Sequence, residues 1–311
     1  MGGGGELQTG EHELIASPDD AGLRLDAFLA ARGAAPSRAA AQRLIERGEV
    51  TVDGEPRPKN HRVEEGEAVK FAAPGAARDA SRPSAVQYDV VYEDEHLMVI
   101  DKPADVVVHP APGHAGPTLA EALPAGSRLA HRLDRDTSGL LLVARTEDAH
   151  AELARMMKAR EVTREYVALV DGHPDAESGT IDAPIGRDRG NRTVMSTRTD
   201  RARDAVTHFR VLERLPRTAL LEIRLETGRT HQIRAHLAAI GHPVAGDPQY
   251  GGRASGRRLG LGRQFLHASK LMFSHPVTRE LVACESKPPV ELSHALDNAR
   301  REPVSGGPDG G

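Results

Sequence analysis

Two polar segments contain the residues whose types and spacing are suited to chemistry. The first, HRLDRDTSG at residues 131–139, places the carboxylates of Asp134 and Asp136 among arginines. It directly precedes the apolar run LLLVA at residues 140–144, which predicts a buried central strand. A polar loop attached to a rigid strand is a common position for active-site side chains. An exposed turn whose charges compensate one another is the alternative interpretation.

The second segment is ETGRTHQIRAH at residues 226–236. It follows an alternating strand pattern at residues 219–225 and leads, with Thr230 as the expected N-cap, into a helix that ends near Gly241. The unpaired N–H groups and the positive dipole at a helix N-terminus favour an anion. An ordinary helix start with surface cations is the alternative. The side chains that add hydrogen-bond donors here are Arg229, His231, Gln232 and Arg234.

The sequence provides little support for a metal or a cofactor. His231 and His236 are five residues apart, whereas a metal-binding pair on a helix is four apart. Cys284 is the only cysteine, which excludes an intramolecular disulfide and a multi-cysteine zinc site. We find no phosphate-cradling loop and no dinucleotide fingerprint. We therefore expect no metal, no cofactor and no dinucleotide ligand.

Composition limits the class of protein. The chain has 311 residues, with 41 Lys and Arg against 45 Asp and Glu, so its net charge of −4 does not by itself indicate a nucleic-acid partner. No apolar run reaches the ~20 residues that a membrane span requires, and the first residues lack the pattern of a secretory signal. We expect a soluble cytoplasmic monomer with no membrane partner.

Composition shifts also predict the domain organisation. We expect a flexible tail at residues 1–21, a small module at 22–75, a linker rich in small residues and proline at 76–86, a large domain at 87–295, and a flexible tail at 296–311. The large domain alternates strand-like and helical stretches, with strands predicted around residues such as Val90 to Tyr92. The predicted fold class is α+β, a mainly antiparallel mixed sheet preceded by a small α/β module.

The small module has the pattern of two helices followed by hairpin strands. Ser37 is the expected N-cap of the second helix, and Asp53-Gly54 is typical of a hairpin turn. The segments LRLDAFL and LIERGEVTVDG resemble the RNA-binding module first described in a small-subunit ribosomal protein. The resemblance implies that a polar face binds RNA phosphates, whereas charge alone also fits a solvated helix face. The residues of this face are Arg38, Gln42, Arg43, Lys59 and Arg62.

The large domain resembles the RluA-type pseudouridine synthase family. HRLDRDTSGLLLVA and TGRTHQIR carry the resemblance, together with REYVALV at residues 164–170 and GHPVAGDPQYG at residues 241–251. The combination of the small module with VVHPAPG at residues 107–113 is most similar to the RluD-like branch, which modifies large-subunit ribosomal RNA. The resemblance therefore implies an isomerase that acts on this RNA without a cofactor. One departure is Asp101-Lys-Pro, where many relatives have Asn-Lys-Pro, and we expect little consequence.

The resemblance also implies roles for individual residues. Asp134 is the expected catalytic carboxylate, Tyr166 the aromatic side chain that stacks on the target base, and Arg234 the ion-pair partner of Asp134. Arg132 supports the flipped-out nucleotide or fills the space that it leaves. A nearby guanidinium favours the ionised carboxylate, which then attacks the ribose, attacks the base, or takes a proton from the sugar. The sequence does not choose among these routes.

Three other functions compete with this interpretation. A non-catalytic RNA-binding or ribosome-assembly factor would keep the small module and treat Asp134 as structural. A zinc-dependent deaminase acting on RNA would need histidine and thiol ligands that a single cysteine does not supply. A small-molecule hydrolase using Asp134 and a histidine lacks support from any nucleophile-elbow pattern.

Overall fold

A computed structural model gives the structure of this protein, and its chain divides into two compact units at residues 83 and 84. Each unit is described by itself. The residues that the structure describes are 11–35, 38–46, 48–72, 86–110, 114, 116–191 and 194–303.

The small unit places two helices against a four-stranded sheet of order β1-β4-β2-β3. Leu25, Phe28 and Leu29 of the first helix are fully buried against sheet residues such as Val69. The predicted turn at Asp53-Gly54 is confirmed as the connection between β2 and β3. The elements are β1 (Glu11–Ile15), a 3₁₀ turn (Pro18–Asp20), α1 (Leu25–Ala31), α2 (Arg38–Glu46), β2 (Val50–Val52), β3 (Glu55–Pro56) and β4 (Ala68–Ala72).

The prediction of a flexible tail over residues 1–21 is wrong for residues 11–21. Strand β1 pairs antiparallel with β4, with Ile15 opposite Ala68. The following turn is held by an ion pair between Asp20 and Arg32 at the end of α1. The backbone N–H and C=O groups of β1 form hydrogen bonds with a strand that lies more than fifty residues later in the sequence. The composition of a short segment does not reveal such a distant partner. Residues 1–10 and Ser37 lie outside the described residues.

The large unit is built on a mixed sheet whose main path is β10-β13-β14-β9-β15-β8-β6-β5. Strand β16 pairs with β15, β7 pairs with β8, and β11 and β12 form a separate pair. The pairing is antiparallel except between β15 and β8, which confirms the α+β class. The strands are β5 (Asp89–Glu93), β6 (Leu97–Lys102), β7 (Arg128–Leu129), β8 (Ser138–Ala144), β9 (Thr163–Asp171), β10 (Ser178–Asp182), β11 (Gly186–Arg187), β12 (Met195–Ser196), β13 (Val206–Arg214), β14 (Thr218–Leu225), β15 (Leu266–Ser274) and β16 (Leu281–Glu285).

Helices cover both faces of this sheet. Every residue of β8 is buried, as the apolar run predicts. Leu140 and Leu142 pack with Leu153 of α4 on one face, while Leu141 packs into the cluster that contains Leu237 of α5 on the other. This central strand therefore gives the preceding polar loop a rigid support. The helices are α3 (Leu119–Ala122), α4 (Glu147–Lys158), α5 (Gln232–Ala239), α6 (Arg253–Leu259) and α7 (Val290–Arg301).

The prediction of a flexible tail over residues 296–311 is also wrong in its first part. Helix α7 continues to Arg301, buries Ala299 and pairs Arg300 with Glu213. The fully buried residues of the helix are only Leu292, Ala295 and Ala299, so its packing face was not evident from composition. Residues 304–311 and most of the predicted linker lie outside the described residues. Within the described part of the chain, every helix is too short or too polar to cross a membrane.

Candidate active site

A cavity of about 460 Å³ in the large unit brings the two polar segments together. The loop before β8 forms one part of its wall, and the strand-to-helix connection before α5 forms another. A space of this size accommodates a single nucleotide, with one side open to solvent. All seven residues that the sequence assigned to catalysis or substrate binding line it: Arg132, Asp134, Tyr166, Arg229, His231, Gln232 and Arg234.

Arg234 holds Asp134 from the opposite wall of the cavity. Its Nη1 donates a hydrogen bond to Asp134 Oδ2 over 3.2 Å. Its Nε and Nη2 donate to the two oxygens of Asp247 over 2.6 and 2.9 Å, a bidentate pair that fixes the plane of the guanidinium. Burial alone would lower the pKa of Arg234, but Asp247 and then Asp134 outweigh burial and raise it. The arginine therefore stays charged and oriented beside Asp134.

Asp247 and Tyr250 complete this arrangement, although neither was expected from the sequence to belong to the site. Asp247 is 0% exposed and also accepts the backbone N–H groups of Gln249 and Tyr250. The guanidinium carbon of Arg234 lies 4.9 Å from the centre of the Tyr250 ring, a cation–π contact. The only signal in the sequence was the GDPQY motif itself, which contributed to the family resemblance.

Lys102 supports the loop that carries Asp134 through hydrogen bonds to backbone carbonyl oxygens. This lysine is 0% exposed, and its Nζ donates to the carbonyl oxygens of Arg135, Pro103 and Val106 over 2.9, 2.8 and 3.1 Å. Burial lowers its pKa to about 7. The lysine therefore joins the loop that carries Asp134 to the turn that follows β6, which gives the Asp101-Lys-Pro segment a structural role.

Tyr166 and Arg132 take different positions in the cavity. Tyr166 lies on β9 and is 5% exposed, so its ring forms part of the buried wall. Burial raises the pKa of its hydroxyl, which keeps the side chain neutral. Arg132 is exposed at the rim. A flat neutral ring inside the cavity and an exposed cation at its rim fit the stacking and supporting roles that the resemblance implied.

The structure corrects the role expected for Gln232. Its Nε2 donates to Val206 O and Thr207 Oγ1, each over 3.0 Å, and its Oε1 accepts from Thr227 Oγ1 and from Arg229 N. The amide is fully engaged inside the protein, so Gln232 positions the loop and offers no donor to a substrate. The sequence shows that an amide is present but not that its partners are internal.

Arg229 and His231 remain at the cavity wall. Arg229 uses Nε to donate to the Asp204 carbonyl over 3.0 Å. His231, with a left-handed φ of 53°, is the N-cap of α5, whereas the sequence predicted Thr230. Its Nδ1 lies 3.1 Å from the Tyr250 hydroxyl, and burial lowers its pKa. His236 instead contacts Thr207 and a backbone carbonyl, so the two histidines do not converge on a common ligand.

A second cavity of about 770 Å³ adjoins the first and shares the wall from residue 228 to residue 231. Its lining is strongly basic, although Asp188 and Asp200 also contribute to it. Such a lining attracts the phosphates of a nucleic acid. The arginines that line it are Arg187, Arg189, Arg201, Arg203 and Arg229.

The polar side chains that were predicted to bind RNA and that the structure describes have partners within the small unit. Arg38 and Gln42 both donate to the buried carboxylate of Asp26, over 3.3 and 2.6 Å. Hydrogen bonds from Arg24 and then Gln42 outweigh burial, which alone would raise the pKa of Asp26, and lower that pKa to about 2. Arg38 and Gln42 therefore stabilise the packing of α2 on α1 as well as presenting polar surface.

Lys59 and Arg62 follow the same pattern. Lys59 pairs with Glu46 over 2.7 Å, and Arg62 donates to the Gly22 carbonyl over 2.6 Å. The side chain of Arg43 lies outside the described residues. An RNA phosphate would thus compete with, or share, these intramolecular contacts.

Comparisons with known proteins agree with this geometry. Residues 96–239 match the family described as RNA pseudouridylate synthase, and residues 23–69 match the S4 domain. An uncharacterized RNA pseudouridine synthase of Bacillus subtilis is 39% identical over 93% of this chain and 98% of its own. The ribosomal large subunit pseudouridine synthase D of Nitrosomonas europaea is 41% identical over 94% of this chain and 89% of its own.

A solved structure shows the same catalytic fold. Human RNA pseudouridylate synthase domain containing 4 superposes with a TM-score of 0.56 and 27% identity, over 68% of this chain and 93% of its own. With relatives this similar over nearly their whole length, the chain belongs to the RNA pseudouridine synthase family and carries an S4 domain before its catalytic domain. It is an isomerase that converts uridine in RNA to pseudouridine.

Proposed function

We propose that this synthase modifies uridines of large-subunit ribosomal RNA and uses Asp134 as its catalytic carboxylate. The observation that carries the proposal is the 3.2 Å contact between Asp134 and the doubly paired Arg234, inside a cavity of nucleotide size whose wall includes Tyr166. The relative from Nitrosomonas europaea, whose name specifies the large ribosomal subunit, supports the choice of RNA.

The reaction needs one ionised carboxylate beside the sugar and the base. The bond between ribose C1′ and base N1 breaks, the base turns, and C1′ forms a new bond to C5, with no redox change and no net addition of water. Asp134 has 15% of its side chain exposed, so it remains open to the cavity while Arg234 holds one oxygen. An oxygen held in this way is suited to attack on the ribose or the base, or to removal of a sugar proton.

The target uridine must leave its stack to reach this carboxylate. Base flipping costs a few kcal/mol, which stacking on Tyr166 and contacts from basic side chains would offset. Arg132 at the rim is suited to occupy the space that the flipped base leaves. Arg229 and His231 connect the catalytic cavity to the adjoining arginine-lined cavity, which is suited to the phosphates that flank the target.

The arginine-lined cavity beside the catalytic cavity favours a folded RNA over a free nucleoside. RNA with single-stranded loops presents both an accessible base and flanking phosphates. The S4 domain, at residues 23–69 of the small unit, supplies a second region for contacts with RNA. Large-subunit ribosomal RNA meets these requirements.

Nucleoside mass spectrometry of ribosomal RNA tests this proposal. RNA is isolated from a strain that lacks the protein and from the same strain with the gene restored. We expect specific pseudouridines to disappear from large-subunit RNA, to return on restoration, and to remain unchanged in small-subunit RNA as the internal control. Full retention of every large-subunit pseudouridine in the deletion strain would overturn the proposed substrate.

A further inference from the structure

One buried arginine of the catalytic cavity, Arg164, has no acidic partner among the residues that the structure describes. Arg164 is 5% exposed and lines the same cavity as Asp134. Its Nε has no hydrogen-bond partner, and its Nη2 makes only a long contact of 3.4 Å to the Glu226 carbonyl oxygen. Within the described part of the chain no carboxylate forms an ion pair with it, whereas the side chain of Glu226 pairs with Arg160 and His208.

This isolation is unfavourable unless a ligand relieves it. Burying an unpaired charge costs free energy, and burial indeed lowers the pKa of Arg164. Arg234, in the same cavity, shows the contrast, because two carboxylates surround it. A buried cation that the protein leaves unpaired in a substrate cavity is suited to bind an electron-rich group of the substrate.

A second unpartnered donor lies close to Arg164. His131 Nε2 accepts a hydrogen bond from the backbone N–H of Leu142 over 3.2 Å, so a neutral ring carries its proton on Nδ1. That Nδ1 is buried and has no hydrogen-bond partner. Burial, followed by the charge of Arg164, lowers the pKa of His131 to about 3, which keeps the ring neutral at physiological pH. This part of the wall therefore offers donors and requires acceptors.

The position of Arg164 relates these donors to the target base. Arg164 and Tyr166 are two residues apart on β9, so their side chains share one face of the strand, about 7 Å apart. A Cβ atom at Gly228 would lie 2.8 Å from Arg164 Nη1, so the glycine leaves space for the guanidinium. A pyrimidine stacked on Tyr166 thus brings its carbonyl edge within reach of Arg164.

We propose that Arg164 is a catalytic residue that binds a carbonyl oxygen of the target uracil and stabilises the negative charge that the base acquires. This inference rests on the proposed function. When the C1′–N1 bond breaks, its electron pair goes to N1 and the charge spreads to O2 and O4. C5 then bonds to C1′, displacing the Asp134 oxygen where that oxygen has attacked the ribose, and loses its proton to solvent, while N1 takes up a proton. If Asp134 attacks the base instead, the charge also reaches O4, so the role of Arg164 is the same.

The same contacts, where they reach position 4 of the base, select uracil over cytosine. Uracil presents an acceptor oxygen at position 4, whereas cytosine presents an amino group that donates hydrogen bonds. The amino group of cytosine would be directed at Arg164 and His131 Nδ1, which are also hydrogen-bond donors, so none of these groups would find an acceptor. A site that leaves buried polar groups unpaired with the wrong substrate discriminates strongly against it.

The test compares two leaving bases in single-turnover reactions. A synthetic RNA fragment spans a uridine identified by the deletion-strain experiment and contains either uridine or 5-fluorouridine at that position. Loss of the N1-linked nucleoside is followed by mass spectrometry for the wild type, Arg164→Gln, Arg164→Lys and the control Arg210→Gln. Arg210 is exposed, pairs with Glu222 and lies outside the cavity lining.

We expect Arg164→Gln to slow the reaction of uridine by about 10²- to 10³-fold, the usual effect of removing one donor to a developing negative charge. Arg164→Gln should slow the reaction of 5-fluorouridine by a smaller factor, because fluorine itself stabilises the anionic base. RNA affinity should not change, Arg164→Lys should fall between wild type and glutamine, and Arg210→Gln should match wild type.

Equal losses for the two bases would assign Arg164 a purely structural role and overturn the inference. If the glutamine variant does not fold by circular dichroism, the lysine variant carries the same comparison. A wild-type enzyme that leaves the uridine fragment unchanged would overturn the proposed function, a result distinct from equal losses in an active system.

Discussion

Replacing Arg234 by methionine removes the guanidinium that joins Asp134 to Asp247. Asp247 is 0% exposed and would lose both of its charge-assisted bonds, of 2.6 and 2.9 Å. Removing one partner of a buried ion pair costs about 3–5 kcal/mol, since the remaining charge is left uncompensated. This is a large part of the ~5–15 kcal/mol by which a domain is stable. Arg234→Met should therefore be both strongly destabilised and inactive.

The double variant Arg234→Met with Asp247→Asn separates these two effects. Asparagine retains an oxygen for the backbone N–H groups of Gln249 and Tyr250, which lie 2.9 and 3.1 Å from the Asp247 oxygen. Replacing a buried pair by neutral groups is often neutral for stability, so most of the lost free energy of unfolding should return. Activity should stay about a hundredfold or more below wild type, because Asp134 still lacks the donor that orients it.

Urea denaturation measures the free energy of unfolding, and single-turnover pseudouridine formation measures activity. The account predicts that the double variant regains stability without regaining turnover. A single Arg234→Met variant as stable as wild type would refute the burial argument. A double variant with wild-type turnover would refute the claim that Arg234 positions Asp134.

Three further results are expected. His131 has a pKa of about 3 in the folded chain, against an ordinary value of 6.5. Between these two pH values the imidazole is protonated in the unfolded chain but stays neutral in the folded chain. Protonation of the unfolded chain at His131 should lower the free energy of unfolding by at most about 1.4 kcal/mol for each pH unit by which the pH falls. In urea melts at pH 7 and pH 5, His131→Asn should reduce the difference in stability between the two pH values, and an unchanged difference would contradict this. Gly139→Ala should cost at least ~2 kcal/mol in thermal unfolding, because φ is +112° and the new Cβ would lie 2.3 Å from the Ala268 carbonyl oxygen. Gly126→Ala, with positive φ but open space, should cost less, and equal costs would refute the steric argument. Deleting residues 1–84 should weaken RNA binding and its salt dependence in fluorescence anisotropy while sparing basal turnover; an unchanged salt slope would assign the small unit another role.

Local patterns in the sequence were sufficient for the elements that support the site. The apolar run at residues 140–144 predicted a buried strand, and β8 is buried along its whole length. The alternation at residues 219–225 predicted β14, and the apolar spacing after residue 232 predicted α5. These signals are reliable because each reflects burial of one element against a core, independent of its distant partners.

Contacts between distant segments were beyond such patterns. The sequence supplied Arg234 and Asp134, but the second carboxylate, Asp247, was not recognised as the group that fixes the guanidinium. Gln232 appeared as a free donor, whereas four internal hydrogen bonds engage its amide. The isolation of Arg164 is likewise a property of its surroundings, since an arginine beside an acidic residue in the sequence gives no sign of being unpaired.

The ends of the domains show the same limit. Strand β1 and the last turns of α7 were assigned to flexible tails, because their sequences are short and bordered by glycine or proline. Their stability comes from β4 and from buried contacts such as those of Ala299. Composition describes a segment alone, whereas order at a terminus depends on the partner that it finds.

The most direct test of the central claim is tritium release by Asp134→Asn. The substitution keeps the shape of the side chain and an oxygen that accepts from Arg234 but removes the negative charge. RNA labelled with tritium at C5 of uridine releases the label when C5 bonds to C1′, and filter binding of the same RNA measures affinity. The account predicts wild-type affinity with no detectable release, whereas release near the wild-type rate would show that Asp134 is not the catalytic carboxylate.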